Sequence, residues 1–153
     1  MNGWLKRSLA GAALAVLAGA AIAGEGPRVT NAWARATAPG VDVGAVYMSI
    51  EGGTAADRLV AGSTTRAAMV HLHTVEEKDG LAKMRPIDAV SVPAGARVEL
   101  VPKGTHVMLM GLGKPLTTGE SFPLTLTFEK SGELTIDVAV RAASEDSSQH
   151  AHH

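Results

Sequence analysis

Residues 28–140 form a succession of short runs in which apolar and polar side chains alternate, each cut off after a few residues by Gly, Pro, Asp or Ser. Turn signals that recur at intervals of about ten residues leave no room for long helices and favour a β-sandwich or Greek-key barrel. The clearest strands are expected over 43–50, 69–74, 97–101, 106–110, 124–128 and 134–140. Val98/Leu100, Leu124/Leu126/Phe128 and Leu134/Ile136/Val138 put apolar groups on one face, while Thr125, Thr127, Thr135 and Asp137 turn to water. Pro93-Ala94-Gly95, Pro102-Lys103-Gly104, Gly111-Leu112-Gly113 and Lys130-Ser131-Gly132 supply the turns. The expected fold is therefore all-β and a single domain. No segment after residue 24 is a convincing amphipathic helix, although 57–68 has room for one short helical turn, and there is no internal repeat. Beyond the first 23 residues the aromatic side chains are Trp33, Tyr47, Phe122 and Phe128, so Val, Leu, Ile and Ala must fill the core. Met48 and Met69 are read as core residues of the same kind.

The two ends differ from this body. Lys6 and Arg7 precede an unbroken small and apolar run over 9–22, and Ala21-Ile22-Ala23 is a small-x-small cleavage site, which together read as a secretory signal peptide over 1–23. A membrane anchor would need about 20 apolar residues and this Ala/Gly-rich run is shorter, so cleavage after Ala23 is expected, with no membrane insertion of the mature chain. The chain contains no cysteine for a lipid anchor and no Arg-Arg pair for twin-arginine export. Without Lys6 and Arg7 the 14 basic residues become 12 against 15 acidic ones, a formal charge of −3. Phosphate recognition needs a basic surface, so nucleic-acid binding is not expected. The body is expected over 24–142, followed by a flexible His-rich tail over 143–153 that is polar and lacks core residues.

Four potential soft-metal ligands stand out in a chain without cysteine: His73, Met84, His106 and Met108. Imidazole with thioether suits Cu(I), whereas zinc sites favour thiolate, imidazole and carboxylate. His106, Met108 and Met110 lie at i, i+2 and i+4 and so share one strand face; if Val107 and Leu109 point into the core, that face is free to meet a ligand. His71 and His73 share a face of another strand, and the Lys78-Asp79-Gly80 turn can fold Met84 back toward His73. Singly, each Met reads more readily as a core gap-filler and each His as a surface or hydrogen-bonded residue; it is their joint spacing that points to a site. His71 and Met110 are read as packing or as support for the ligands, and Trp33 either covers the site or sits in the core.

The spacing His73-x10-Met84-x21-His106-x-Met108 resembles the H-x10-M-x21-H-x-M motif of the PCu(A)C family of periplasmic copper chaperones. Lys83-Met84-Arg85-Pro86, Val92-Pro93-Ala94-Gly95 and His106-Val107-Met108-Leu109-Met110-Gly111-Leu112 also look like that family, over about residues 28–142. The resemblance implies a cupredoxin-like β-barrel that holds one Cu(I) through His73, Met84, His106 and Met108. It further implies a periplasmic location and delivery of copper to the CuA centre of subunit II of a haem-copper oxidase, alongside a Sco-type thiol protein. Buffering of periplasmic copper without a dedicated recipient is the alternative.

His150, His152 and His153, with Glu145 and Asp146 before them, form an auxiliary candidate for Cu(II), with a cloning remnant as the plain alternative. Enzyme function is not expected. Blue-copper electron transfer and thiol redox chemistry both need a cysteine, and serine hydrolysis lacks a Gly-x-Ser-x-Gly elbow. A purely structural exported β-sandwich leaves the four-residue spacing unexplained.

Overall fold

The computed structural model describes residues 25–143, and within them the alternating runs become ten strands. These are β1 (Arg28–Arg35), β2 (Val43–Glu51), β3 (Asp57–Ser63), β4 (Ala67–Lys78), β5 (Leu81–Pro86), β6 (Val90–Val92), β7 (Arg97–Leu100), β8 (His106–Leu112), β9 (Ser121–Phe128) and β10 (Gly132–Arg141). All six expected strands fall on observed ones. Among the described residues no helix is long and apolar enough to cross a membrane. The expected leader with its cleavage point at Ala23, and tail residues His150, His152 and His153, lie outside the described residues.

Two expectations are corrected. Residues 57–63 form a strand and not a helical turn, because Leu59 is fully buried and β3 pairs on one side with β6 and on the other with β9. Sheet pairing outweighs a local composition of Asp, Arg and Gly that is poor for strands. Met69 is 53% exposed and outside the core. On β4 the core is faced by Leu72 and, partly buried, Val70, so the alternation sends Met69 outward with His71 and His73. Met48 is buried as expected.

The strands follow the order β5-β4-β8-β2-β1-β10-β9-β3-β6, with β7 also on β2. β2 serves two partners on successive stretches: Val43–Val46 pair with β8 and Met48–Glu51 with β7. The first and last strands run parallel, Trp33 opposite Ala139, and every other pairing is antiparallel. The sheet folds over so that β3 meets β4; a Cβ added at Gly62 would stand 2.9 Å from Val70, a separation that only glycine permits. The enclosed core sets Val46, Ile50, Leu72, Val107 and Leu109 against Leu59, Val92, Leu124, Leu126 and Phe128. Each such side chain contributes about 1.5–3 kcal/mol when fully buried. A cysteine-free chain depends on that burial.

One buried charge ties β3 to the turn between β9 and β10. Asp57, only 5% exposed, accepts hydrogen bonds from the amides of Arg58, Lys130 and Ser131 and from the Ser131 hydroxyl, and so fixes the β9–β10 turn onto β3. Burial pushes its carboxyl pKa up, but these four donors outweigh burial and hold it at about 2.

Candidate metal centre

Val107 and Leu109 are fully buried, so the condition on β8 is met: His106, Met108 and Met110 project to the opposite, outer side of the sheet. β4 lies antiparallel beside β8 with His73 opposite His106, His71 opposite Met108 and Met69 opposite Met110. Directly opposed residues share a face, so β4 and β8 present three successive rungs of imidazole and thioether on one surface. On the other flank of β8, β2 sets Ala45 against Met108 and Val43 against Met110. Ala45 and Met108 both line one cavity of this face.

Met84 arrives on a tight hairpin. Lys78 pairs with Leu81, and the intervening Asp79 and Gly80 both have positive φ, 53° and 75°, as a two-residue type I′ turn requires. The register then puts Met84 opposite Val75 and Pro86 opposite His73. Met84 therefore joins the same face one rung beyond His73. β5 is an edge strand with every residue exposed, defended by Lys83 and by Arg85, which is paired with Glu76. Met84 itself is 51% exposed.

The two imidazoles are held differently. His106 is 3% exposed, and its Nδ1 lies 2.9 Å from the Gly104 carbonyl. A carbonyl only accepts, so Nδ1 carries the proton and Nε2 keeps its lone pair for a ligand. This is the arrangement by which a backbone group orients a metal-binding histidine. His73 is half-buried, and its Nδ1 is buried without a hydrogen-bond partner. Burial, then the neighbouring His106 and His71, push the His73 pKa below its usual value, which favours the neutral ring that can bind a metal.

Met84, His106 and Met108 line a common cavity of about 720 Å³, together with Tyr47 and Val75. His73 flanks it, with its ring centroid 6.0 Å from that of His106. His71 lies beyond His73 at 6.1 Å, on the second rung opposite Met108, and Met110 lies on the third rung. Two imidazoles and two thioethers are all neutral donors, a set suited to a soft monovalent cation. Among the described residues no three His, Cys, Asp or Glu side chains are grouped to hold a metal.

One neighbour, Tyr47, was not singled out from the sequence, and the place of Trp33 was left open. Tyr47 stands 6.2 Å from His106 and Trp33 packs against Tyr47 in a tilted arrangement with ring centroids 4.7 Å apart, the Arg141 guanidinium lying 5.3 Å over the indole. Trp33 thus belongs to the outer face, two strands from His106, and touches the site through Tyr47. The period-two parity of β2, shared by Val43, Ala45 and Tyr47, was the signal that could have found the tyrosine.

Comparison with known proteins bears on this geometry. Residues 28–140 match the family described as "Putative lipoprotein LpqE-like". The "Putative lipoprotein Lxx21020" of Leifsonia xyli subsp. xyli (strain CTCB07) is 31% identical over 119 residues, which span 76% of this chain and 70% of that protein. The copper-bound PCuAC domain from PmoF2 is 30% identical with a TM-score of 0.66, over 78% of this chain and 96% of that one. The solution structure of Cu(I)-bound DR1885 from Deinococcus radiodurans is 30% identical with a TM-score of 0.59, over 74% of this chain and 78% of that one. The fold is thus the one found in PCuAC domains, in agreement with the cupredoxin-like expectation.

Proposed function

The chain belongs to the LpqE-like family, and from that premise we propose that it is an exported copper chaperone of the PCu(A)C type rather than an enzyme. In this reading it binds one Cu(I) through His73, Met84, His106 and Met108 and passes it on in the periplasm. The recipient is the CuA centre of a haem-copper oxidase subunit II, with a Sco-type thiol protein acting alongside. The observation that carries the reading is the placement of two imidazoles and two thioethers on one outer face of β4, β5 and β8, in a fold shared with a copper-bound PCuAC domain.

The arrangement suits release as well as capture. His106 is buried and fixed by Gly104, so it is the anchor of the set. Met84 rides on an exposed edge hairpin and is the donor that an incoming group can displace first. Thioether needs no deprotonation and forms no disulfide, so neither a proton nor a redox partner limits exchange. A thiolate on the recipient is the stronger Cu(I) ligand and draws the metal forward.

The test is a competitive Cu(I) titration against a chromogenic chelator under anaerobic reducing conditions, with the Met84→Ile/Met108→Ile variant alongside. One tight equivalent should weaken by about 100-fold or more in the variant, roughly 2.7 kcal/mol, while Cu(II) binding changes little. Cu(I) binding that survives in the variant would remove the assignment. Loss of an oxidase's CuA signal on deletion supports delivery, whereas copper sensitivity with a normal oxidase would replace it with buffering.

A further inference from the structure

The four-residue set uses only part of the ladder between β4 and β8. Its first rung, His73/His106, is consumed; from the second rung it takes Met108 and leaves His71; the third rung, Met69/Met110, is untouched. The unused donors are one imidazole and two thioethers on the same outer face. His71 is exposed, and Met69 is 53% exposed, so its thioether is not spent on filling the core. Successive rungs are separated by about 7 Å, two residues of an antiparallel strand. Met69 and Met110 therefore stand one rung beyond the first site, and His71, opposite Met108 and with its ring 6.1 Å from that of His73, bridges the two.

We infer that His71, Met69 and Met110 form a second, weaker Cu(I) site beside the first, by which the ion enters or leaves. The inference rests on the four-residue reading of the first site. One nitrogen and two sulfurs, all neutral, make a three-coordinate set of the kind Cu(I) accepts. The site is weaker because it has one donor fewer and because Met69 is solvent-exposed, with no cavity wall to hold it. Movement between the sites is an exchange of neutral donors around a monovalent ion. His71 replaces His73, or Met110 replaces Met108 two residues away on the same strand, and neither a proton nor an electron has to move.

The test uses the full chain labelled with 13C at the methionine methyls, titrated anaerobically with Cu(I) and followed by NMR. The first equivalent should shift the Met84 and Met108 methyls and the second those of Met69 and Met110, while buried Met48 stays still. The Met69→Ile/Met110→Ile variant should lose the second step and keep the first, and His71→Ala should weaken the second step alone. The second step should persist when His150, His152 and His153 are all replaced by Ala. A second equivalent that leaves Met69 and Met110 unmoved overturns this inference while the first site stands. A first equivalent that leaves Met84 and Met108 unmoved overturns the first site, and the second with it.

Discussion

His73 and His106 face each other across β4 and β8 with ring centroids 6.0 Å apart, yet only His106 has its Nδ1 engaged by the backbone. The pair is asymmetric: one ring is locked with Nε2 outward, and the other has a buried Nδ1 without a partner. An apo site of this form has one preorganised donor and one that a metal can settle.

For His106, asparagine separates the two roles of the ring. Its side-chain amide can still donate to the Gly104 carbonyl but offers nothing in place of Nε2. His106→Asn should therefore keep stability within about 1 kcal/mol of wild type in urea denaturation. Its Cu(I) affinity should fall by about 100-fold or more, roughly 2.7 kcal/mol. Affinity that stays within a few-fold of wild type would mean that His106 is packing and not a ligand.

His73 has a pH signature with a definite sign. Burial, then His106 and His71, lower its pKa in the folded state from the ordinary 6.5, so below that value the unfolded chain binds a proton that the folded chain resists. Stability of the apo protein should be unaffected by His73 above 6.5 and fall as pH drops through the window between 6.5 and the lowered value. Denaturation curves of wild type and His73→Leu compared between neutral pH and pH 5 check this: the slope attributable to His73 should vanish in the variant. Parallel pH dependence in the two would contradict it.

Gly80 controls a ligand it does not touch. Its φ is +75°, and nothing lies within 4 Å of a Cβ added there, so alanine meets no clash and the cost is conformational, about 1–2 kcal/mol. β5 is an edge strand with no buried residue, so the hairpin should fray locally and leave the core folded. Gly80→Ala should raise amide exchange over β5 and weaken Cu(I) binding several-fold through Met84, with little change in global unfolding. Unchanged exchange in β5 would show that the turn does not set the position of Met84.

The face that carries the donors was legible because β8 alternates so plainly: His106, Met108 and Met110 against Val107 and Leu109. The Lys78-Asp79-Gly80 turn was equally readable, since positive φ at two adjacent positions is demanded by few structures other than a hairpin. β5 itself offered no alternation to read because neither of its faces is buried. β3 was hidden for the opposite reason: Leu59 is fully buried, but the partners that bury it lie on β6 and β9, far along the chain. Met69 was assigned by residue type when the parity it shares with His71 and His73 would have turned it outward. Parity alone still does not choose four donors from seven, which is why His71 and Met110 carried no ligand role in the sequence reading.

Asp57 anchors the fold from a strand that carries none of the donors, and its pH dependence runs in a separate window. Its native pKa of about 2 lies below the ordinary 3.8 because the Ser131 hydroxyl and three backbone amides outweigh the effect of burial. The charged form is therefore favoured by folding, and the stabilisation is complete above 3.8 and lost as pH falls toward about 2. The shift is equivalent to about 2 kcal/mol, and removing the carboxylate also strands the donors that it satisfies. Asp57→Ala should lose about 2–4 kcal/mol at pH 7, and the gap to wild type should narrow as pH is lowered through this window. Because Asp57 sits on β3 and the donors lie on β4, β5 and β8, the folded variant should bind Cu(I) as wild type does. Urea denaturation at pH 7 and at acid pH, paired with the Cu(I) titration, separates the two effects. A constant gap at all pH values would mean that folding does not shift the Asp57 pKa, and a lost metal site would mean that β3 is coupled to the donor face.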